Sequence, residues 1–169
     1  DVPGAHEVAV LSEYPQNVQV DGVWVPANNL VARDADGWGV ERHALTPEFS
    51  SHAGGEVLTV TNDDVSLSWR LLGADDVAGS HVRPRGGDSE LWYRDVLDGV
   101  DLLYEVEPTL VKESMVLAEA PDAAPEYRWV LSAPGLTVEA DDAGGFVILD
   151  ADGMAGVADD RRVRRHVVD

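Results

Sequence analysis

Apolar and polar residues alternate over short runs along most of the chain, with turn residues between the runs. This period of two is typical of β-strands, because successive side chains of a strand point to opposite faces. In residues 65–71, for example, Val65, Leu67, Trp69 and Leu71 share one face. The pattern predicts strands at residues 6–11, 17–20, 23–26, 28–33, 38–42, 56–62 and 65–73 and, after a gap, at residues 90–96, 101–108, 110–119, 126–133, 136–142 and 146–153.

Turn residues between these runs predict antiparallel pairing. Asp21-Gly22 joins two alternating runs directly, which is a strong hairpin signal. Asp63-Asp64 predicts a second hairpin. We therefore predict an all-β, antiparallel β-sandwich-like fold, with two β subdomains packed together as the alternative.

Composition divides the chain into a body and a tail. Residues 1–158 are predicted to form a single β-rich domain, and the Gly-, Asp- and Ser-rich residues 74–89 are predicted to be a loop or an internal boundary. Residues 159–169 form a tail that holds Arg161, Arg162, Arg164 and Arg165. The tail is interpreted as a disordered end or a final strand, and alternatively as a docking segment or a protease-sensitive junction.

Charge narrows the classes of partner. The 169 residues include 32 acidic and 12 basic side chains, a net charge of -20, and no cysteine. Such a surface repels the phosphates of nucleic acids and anionic lipids. Nucleic-acid binding is therefore not expected. Membrane insertion is not expected either, because no apolar run is long enough to span a bilayer. The excess of acids is interpreted as a means of solubility or as a sign of a salty or extracellular setting, and divalent-cation binding is the alternative.

Two identical Asp-Ala-Asp-Gly segments are the candidate metal site. They place Asp34 and Asp36 before one glycine, and Asp150 and Asp152 before another. The segment resembles the start of a calcium loop, but position twelve is Leu45 in the first and Arg161 in the second, where the loop requires glutamate. Both segments are therefore interpreted as hairpin turns, no cofactor is expected, and Ca²⁺ remains the alternative ligand.

Catalytic motifs are missing from the sequence. Its five histidines show no metal-ligand spacing, and there is no nucleophile elbow or phosphate loop. We therefore predict that the protein is not an enzyme. A glycosidase-type pair of carboxylates is the alternative that sequence spacing does not test, because such a pair is defined by its distance in space.

The five tryptophans are the candidate carbohydrate contacts. Four of them, Trp24, Trp69, Trp92 and Trp129, fall in predicted strands and are expected in the core. Trp38 begins the strand predicted at residues 38–42, directly after the Asp-Ala-Asp-Gly turn, and is expected to be the exposed one, placed to stack against a sugar.

Residues 91–106 combine aromatic and acidic side chains around a predicted bend at Asp98-Gly99. Asp95 and Asp101 are candidate binding residues. They are interpreted mainly as caps for backbone N–H groups at the bend, with Lys112 as the ion-pair partner of one of them. Alternation predicts that one face holds Trp92, Arg94 and Val96, and that after the bend one face holds Val100, Leu102 and Tyr104.

The order of several motifs carries a family resemblance. A Tyr-x-Asp-Val-x-x-Gly-Val-Asp-Leu-x-Tyr pattern runs from Tyr93 to Tyr104, a Val-Lys-Glu-x-x-Val-Leu strand begins at Val111, and an Asp-x-Asp-Gly turn closes at Gly153. Residues 21–153 resemble the β-rich region that precedes the repeats of large secreted bacterial Rhs/YD-repeat-like proteins, many of them from actinobacteria. The chain departs from that pattern after Gly153, where it continues into the Arg-rich tail.

This resemblance implies a non-enzymatic structural, accessory or interaction domain of an exported protein, secreted or at the cell surface. Its partners would be other domains of the parent protein or a separate protein. No catalytic residue carries over with the resemblance. The alternative function is a carbohydrate- or calcium-dependent binding module.

Overall fold

The protein, studied as a computed structural model, is built from β-strands. The structure describes residues 16–62, 65–83, 89–108, 110–123, 125–140, 146–149 and 155–159. Within these residues it contains strands β1 (Asn17–Val20), β2 (Val23–Pro26), β3 (Ala32–Arg33), β4 (Gly37–Gly39), β5 (Pro47–Ser50), β6 (Leu58–Asn62), β7 (Val65–Leu71), β8 (Gly79–Val82), β9 (Ser89–Leu97), β10 (Val100–Val106), β11 (Val111–Leu117), β12 (Trp129–Ser132), β13 (Thr137–Ala140), β14 (Phe146–Leu149) and β15 (Ala155–Asp159). None of the described residues forms a helix long and apolar enough to cross a membrane.

The strands form four antiparallel sheets. A six-stranded sheet has the order β12-β7-β6-β5-β4-β3, and a four-stranded sheet has the order β11-β10-β9-β8. The strands β1 and β2 form a separate hairpin, and β13, β14 and β15 form a three-stranded sheet. The predicted all-β, β-sandwich-like fold is confirmed.

The core lies between the six-stranded and four-stranded sheets. Every second residue of β10 is buried, from Val100 to Val106, and faces buried residues of β7 such as Leu67 and Trp69. Two tyrosines fill the centre, since Tyr93 and Tyr104 are fully buried and their rings meet edge to face with centroids 6.2 Å apart. Burial of one face of each sheet explains why the alternating pattern is strong here.

Three side chains tie the two sheets together by hydrogen bonds. The hydroxyl of Tyr93 donates to the carbonyl oxygen of Ser50 at 2.5 Å. The indole N–H of Trp69 donates to Glu113 at 2.8 Å. The imidazole of His43, in the loop before β5, bonds the carbonyl oxygen of Glu107 at 2.7 Å.

The hairpin predictions are confirmed at two turns. Asp21 and Gly22 both have positive φ, at 50° and 78°, which matches a type I′ turn between β1 and β2. Val65 pairs with Asn62, so β6 and β7 form the second predicted hairpin, although its central residues lie outside the described part of the chain.

Other boundaries differ from the prediction. The predicted loop at residues 74–89 contains β8, which pairs with β9, so the loop interpretation is wrong for Gly79–Val82. Its glycine explains the miss, because a Cβ at Gly79 would lie 2.7 Å from the Tyr93 ring and only glycine fits there. The strand predicted at residues 28–33 is reduced to Ala32–Arg33, and β5 was not predicted. The strand predicted at residues 6–11 and the arginines of the tail lie outside the described residues.

Candidate functional site

The loop-like distortion in the middle of β9 brings the two candidate acids together. Asp101 accepts a hydrogen bond from the backbone N–H of Asp95 through Oδ1 at 2.8 Å. Its Oδ2 lies 2.5 Å from Nη1 of Arg94. Asp95 itself adopts a left-handed backbone conformation with φ of 55°. The prediction that an acid caps a backbone N–H near this bend is confirmed for Asp101.

This distortion is a β-bulge. Leu97 pairs with Val100 and Tyr93 pairs with Leu102, so three residues of β9 lie opposite the single residue Asp101. The bulge shifts the alternation, because Val96 is fully buried like Tyr93. The prediction that Val96 shares a face with Trp92 and Arg94 is therefore wrong, since a period of two cannot anticipate a bulge. The inward face predicted for β10 is confirmed.

Around the bulge, the outer face of the four-stranded sheet carries a chain of polar contacts. The guanidinium of Arg94 lies 3.7 Å from the centroid of the Trp92 ring, a cation–π contact. The indole N–H of Trp92 donates to Glu90 at 2.8 Å. Trp92 is half-buried on this outer face. The expectation that it lies in the core is therefore wrong. Arg94 thus links an aromatic ring to Asp101.

The predicted ion pair between Lys112 and either Asp95 or Asp101 is wrong. Lys112 forms its ion pair with Glu105, the residue directly opposite it on β10. Arg94 takes the role that the sequence assigned to Lys112. Register decides the outcome, because Lys112 and Glu105 lie opposite each other on one face of the sheet.

The first Asp-Ala-Asp-Gly segment forms the turn between β3 and β4. Oδ1 of Asp34 accepts hydrogen bonds from the backbone N–H groups of Asp36 at 2.9 Å and Gly37 at 2.7 Å. This is the local bonding that favours aspartate in turns. Among the described residues, no three His, Asp or Glu side chains converge to hold a metal ion. Asp150 and Asp152 lie outside the described residues.

The tryptophan expected at the surface is buried. Trp38 is 6% exposed and packs in the core, with the guanidinium of Arg33 5.1 Å from its ring centroid. Trp24, which was expected in the core, is 69% exposed. Both expectations are wrong because β4 lies inside the six-stranded sheet, whereas β2 belongs to the separate hairpin. Trp69 is buried, and Trp129 packs partly buried against the core, as expected.

Glu113 is a polar residue on the core-facing side of β11 that the sequence analysis missed. Its Oε2 accepts hydrogen bonds from the Tyr104 hydroxyl and the Trp69 indole N–H, both at 2.8 Å. Burial, and then the charge of Glu113, hold the pKa of Tyr104 well above its usual value. The signal was present in the sequence, because Glu113 interrupts the apolar face formed by Val111, Met115 and Leu117.

His43 is a buried polar residue that the sequence did not reveal. It is 4% exposed. Its Nδ1 accepts from the backbone N–H of Leu45 at 3.0 Å, so Nε2 carries the proton and donates to the carbonyl oxygen of Glu107. Burial lowers the pKa of His43, and the backbone contacts with Glu107 and Leu110 only partly oppose this effect. The ring is therefore a neutral connector between the sheets.

Two shallow clefts adjoin Tyr127 at one end of the sandwich. One has a volume of about 280 Å³ and is lined by Leu71, Leu72, Leu97, Glu126, Tyr127 and Arg128. The other, of about 400 Å³, lies beside Gly99 and Leu117 and includes Asp98 and Glu119. The predicted binding residues Trp38, Asp95 and Asp101 line neither cleft.

The geometry thus separates the residues that the sequence grouped as a site. Asp34 and Asp101 cap backbone N–H groups, Trp38 fills the core, and Trp24 faces solvent.

Comparison of the chain with protein-family models, curated proteins and solved structures finds no match in any of the three.

Proposed function

We propose that the protein is a non-enzymatic structural or interaction domain of an exported bacterial protein of the Rhs/YD-repeat-like kind. One observation supports the structural role above the others: the acids that were candidates for ligand binding are bonded to the protein's own backbone. Asp101 holds the bulge at Asp95, and Asp34 holds the turn before β4. Carboxylates used in this way stabilise a fold and need no ligand.

The connections between the sheets support the same role. Tyr93, Trp69 and His43 each form a hydrogen bond from one sheet to the other or to its loops. Buried hydrogen bonds of this kind fix the relative position of two layers, because a lost partner leaves a buried polar group unsatisfied. A domain that braces or connects parts of a larger protein requires such fixed layers.

The test compares stability with ligand response. If Asp34 and Asp101 are structural, Asp34→Ala and Asp101→Ala lower the midpoint of urea unfolding. Residues kept for ligand binding commonly leave stability unchanged or raise it when they are replaced. The exposed Asp36, whose side chain is in the same turn, provides the matched control through Asp36→Ala.

Calcium provides the opposing outcome. A ligand that binds only the folded state raises its stability. Thermal unfolding is measured with and without millimolar CaCl₂ on the unchanged protein and on Asp34→Asn. A melting temperature that rises by several degrees with calcium, and no longer rises in the variant, would replace the structural role with a calcium-dependent binding module. An unchanged melting temperature supports the structural role.

Export is tested separately. An antibody raised against this chain is used on the culture medium, intact cells and lysate of the source organism. Signal in the medium or on intact cells supports an exported protein, and signal confined to the cytosol contradicts it.

A further inference from the structure

The hairpin of β1 and β2 presents two different faces. Val18, Val20, Val23 and Val25 lie on one face, and Asn17, Gln19, Trp24 and Pro26 lie on the other. Every residue of the second set is exposed, and Trp24 is the most exposed of the large apolar side chains described, at 69%. We call this second set the Trp24 face.

The hairpin holds the Trp24 face in a defined shape. Its type I′ turn at Asp21-Gly22 fixes the register, which places Gln19 directly opposite Trp24. Val18, on the other face, is 8% exposed, and just after the hairpin the backbone N–H of Asn28 donates to the carbonyl oxygen of Arg42 at 2.8 Å, which attaches the hairpin to the loop after β4. The backbone N–H of Ala27 donates to the carbonyl oxygen of Gln16 at 3.0 Å and closes the open end of the hairpin.

We propose that the Trp24 face binds a neutral pyranose glycan. An exposed indole offers a flat apolar surface for the C–H side of a sugar ring. Side-chain amides both donate and accept hydrogen bonds, so Gln19 and Asn17 match the hydroxyl groups at the edge of that ring. Opposite residues of an antiparallel pair lie about 5 Å apart at Cβ, which places the Gln19 amide beside the indole.

Charge and size favour this ligand over other classes. None of the four side chains of the Trp24 face is charged, and the whole chain carries a net charge of -20, which disfavours anionic glycans and phosphates. A stable protein interface needs about 800 Å² on each partner, more than four side chains of one short hairpin provide. A glycan needs only a ring-sized platform, which one exposed indole and the amide opposite it provide.

The test is affinity electrophoresis in native gels that contain a neutral polysaccharide. The probes are hydroxyethyl cellulose and galactomannan, and polygalacturonate is the anionic comparison. We expect the neutral polysaccharides to retard the unchanged protein, and Trp24→Ala to abolish the retardation. Trp24→Tyr keeps an aromatic ring and should retain part of it, and Gln19→Ala should weaken it.

Val23→Ala is the matched control, because Val23 is on the same hairpin and is 61% exposed but lies on the opposite face. It should bind like the unchanged protein. Migration unaffected by both neutral polysaccharides overturns the proposal, as does retardation that persists in Trp24→Ala. An equal loss of retardation in Val23→Ala and Trp24→Ala also overturns the proposal. The proposed structural role stands or falls without this result, because its test concerns Asp34 and Asp101.

Discussion

The side chain of Asp101 accepts a hydrogen bond from the backbone N–H of Asp95 at 2.8 Å, within the only stretch of β9 that leaves the regular ladder with β10. The same carboxylate pairs with Arg94, whose side chain is 58% exposed. Because exposed ion pairs contribute little, the bond to the backbone carries most of the effect.

We therefore expect Asp101→Ala to destabilise the protein by about 1.5 kcal/mol, the lower end of the range for a hydrogen bond to a charged acceptor, because this bond is exposed. Asp101→Asn retains an acceptor oxygen and should cost less. Urea unfolding followed by circular dichroism measures both. Arg94→Gln is the control for the ion pair. If this variant loses as much stability as Asp101→Ala does, the ion pair with Arg94 contributes more than the bond to the backbone.

Asp95 allows a direct test of backbone strain at the bulge. Its φ of 55° lies in the left-handed region, which is unfavourable by roughly 1–2 kcal/mol for residues that carry a Cβ. Asp95→Gly should thus be more stable than Asp95→Ala by about 1 kcal/mol. Equal unfolding midpoints for the two variants would mean that the bulge does not hold this conformation in solution.

The two misassigned tryptophans should differ sharply when they are truncated. Trp38 is buried among core residues, so Trp38→Ala should destabilise by about 3–5 kcal/mol. Trp24→Ala should change stability by less than about 0.5 kcal/mol, as surface substitutions usually do. Acrylamide quenching measures the exposure of the tryptophans independently. Trp24→Phe should remove much of the quenchable fluorescence, because Trp24 is the exposed one. A strongly quenched spectrum that is unaltered in that variant would argue against the exposed hairpin.

Replacement of Glu113 should show how much its hydrogen bonds with the Tyr104 hydroxyl and the Trp69 indole N–H contribute to the free energy of unfolding. Glu113→Leu leaves the Tyr104 hydroxyl and the Trp69 indole N–H without this acceptor, and we expect a loss of about 2–4 kcal/mol. Glu113→Gln keeps an acceptor oxygen and should lose less than half as much. A leucine variant as stable as the unchanged protein would show that apolar packing compensates fully.

Stability should also depend on pH through His43. Burial holds its folded-state pKa below the ordinary value of 6.5, so the folded protein binds the proton more weakly than the unfolded chain. The stabilisation is fully present above pH 6.5 and is lost as pH falls from there through the folded-state pKa. His81 has the same sign, with burial as the main cause and Arg83 second.

Urea unfolding between pH 8 and pH 5 measures this dependence. His43→Gln keeps a donor for the carbonyl oxygen of Glu107 and should flatten part of the curve. Combination with His81→Gln should flatten it further, because both histidines contribute. A slope identical in the unchanged and doubly substituted proteins would assign the effect to other groups.

The fold was largely predictable because its turns and its inward faces have clear local signals. Asp21-Gly22 requires positive φ at both positions, and β10 alternates without interruption, so both were assigned correctly. The bulge at Asp95 was not predictable, because Asp101 was expected to cap a backbone N–H group at the Asp98-Gly99 bend and instead caps Asp95, inside β9. β8 was missed because Gly79 looks like a loop residue until the Tyr93 ring is placed against it.

The candidate site was less predictable for a different reason. Apolar residues occupy both faces of β2, so alternation could not decide whether Trp24 or its neighbours point inward. Burial of Trp38 depends on the position of β4 inside a sheet, which is a property of the whole fold. His43 contacts Glu107, a residue 64 positions away, and no spacing rule connects them.

Three of the side-chain hydrogen bonds between the sheets have a mechanical consequence. Tyr93, Trp69 and His43 belong to a β9 strand, a β7 strand and a loop before β5, so a force that slides one sheet along the other stretches all three bonds at once. A force that peels away the edge strand β11 breaks only one of them, the bond from Trp69 to Glu113. The domain should accordingly resist shear between its layers more than peeling at its edges, and the direction of load becomes as important as its size.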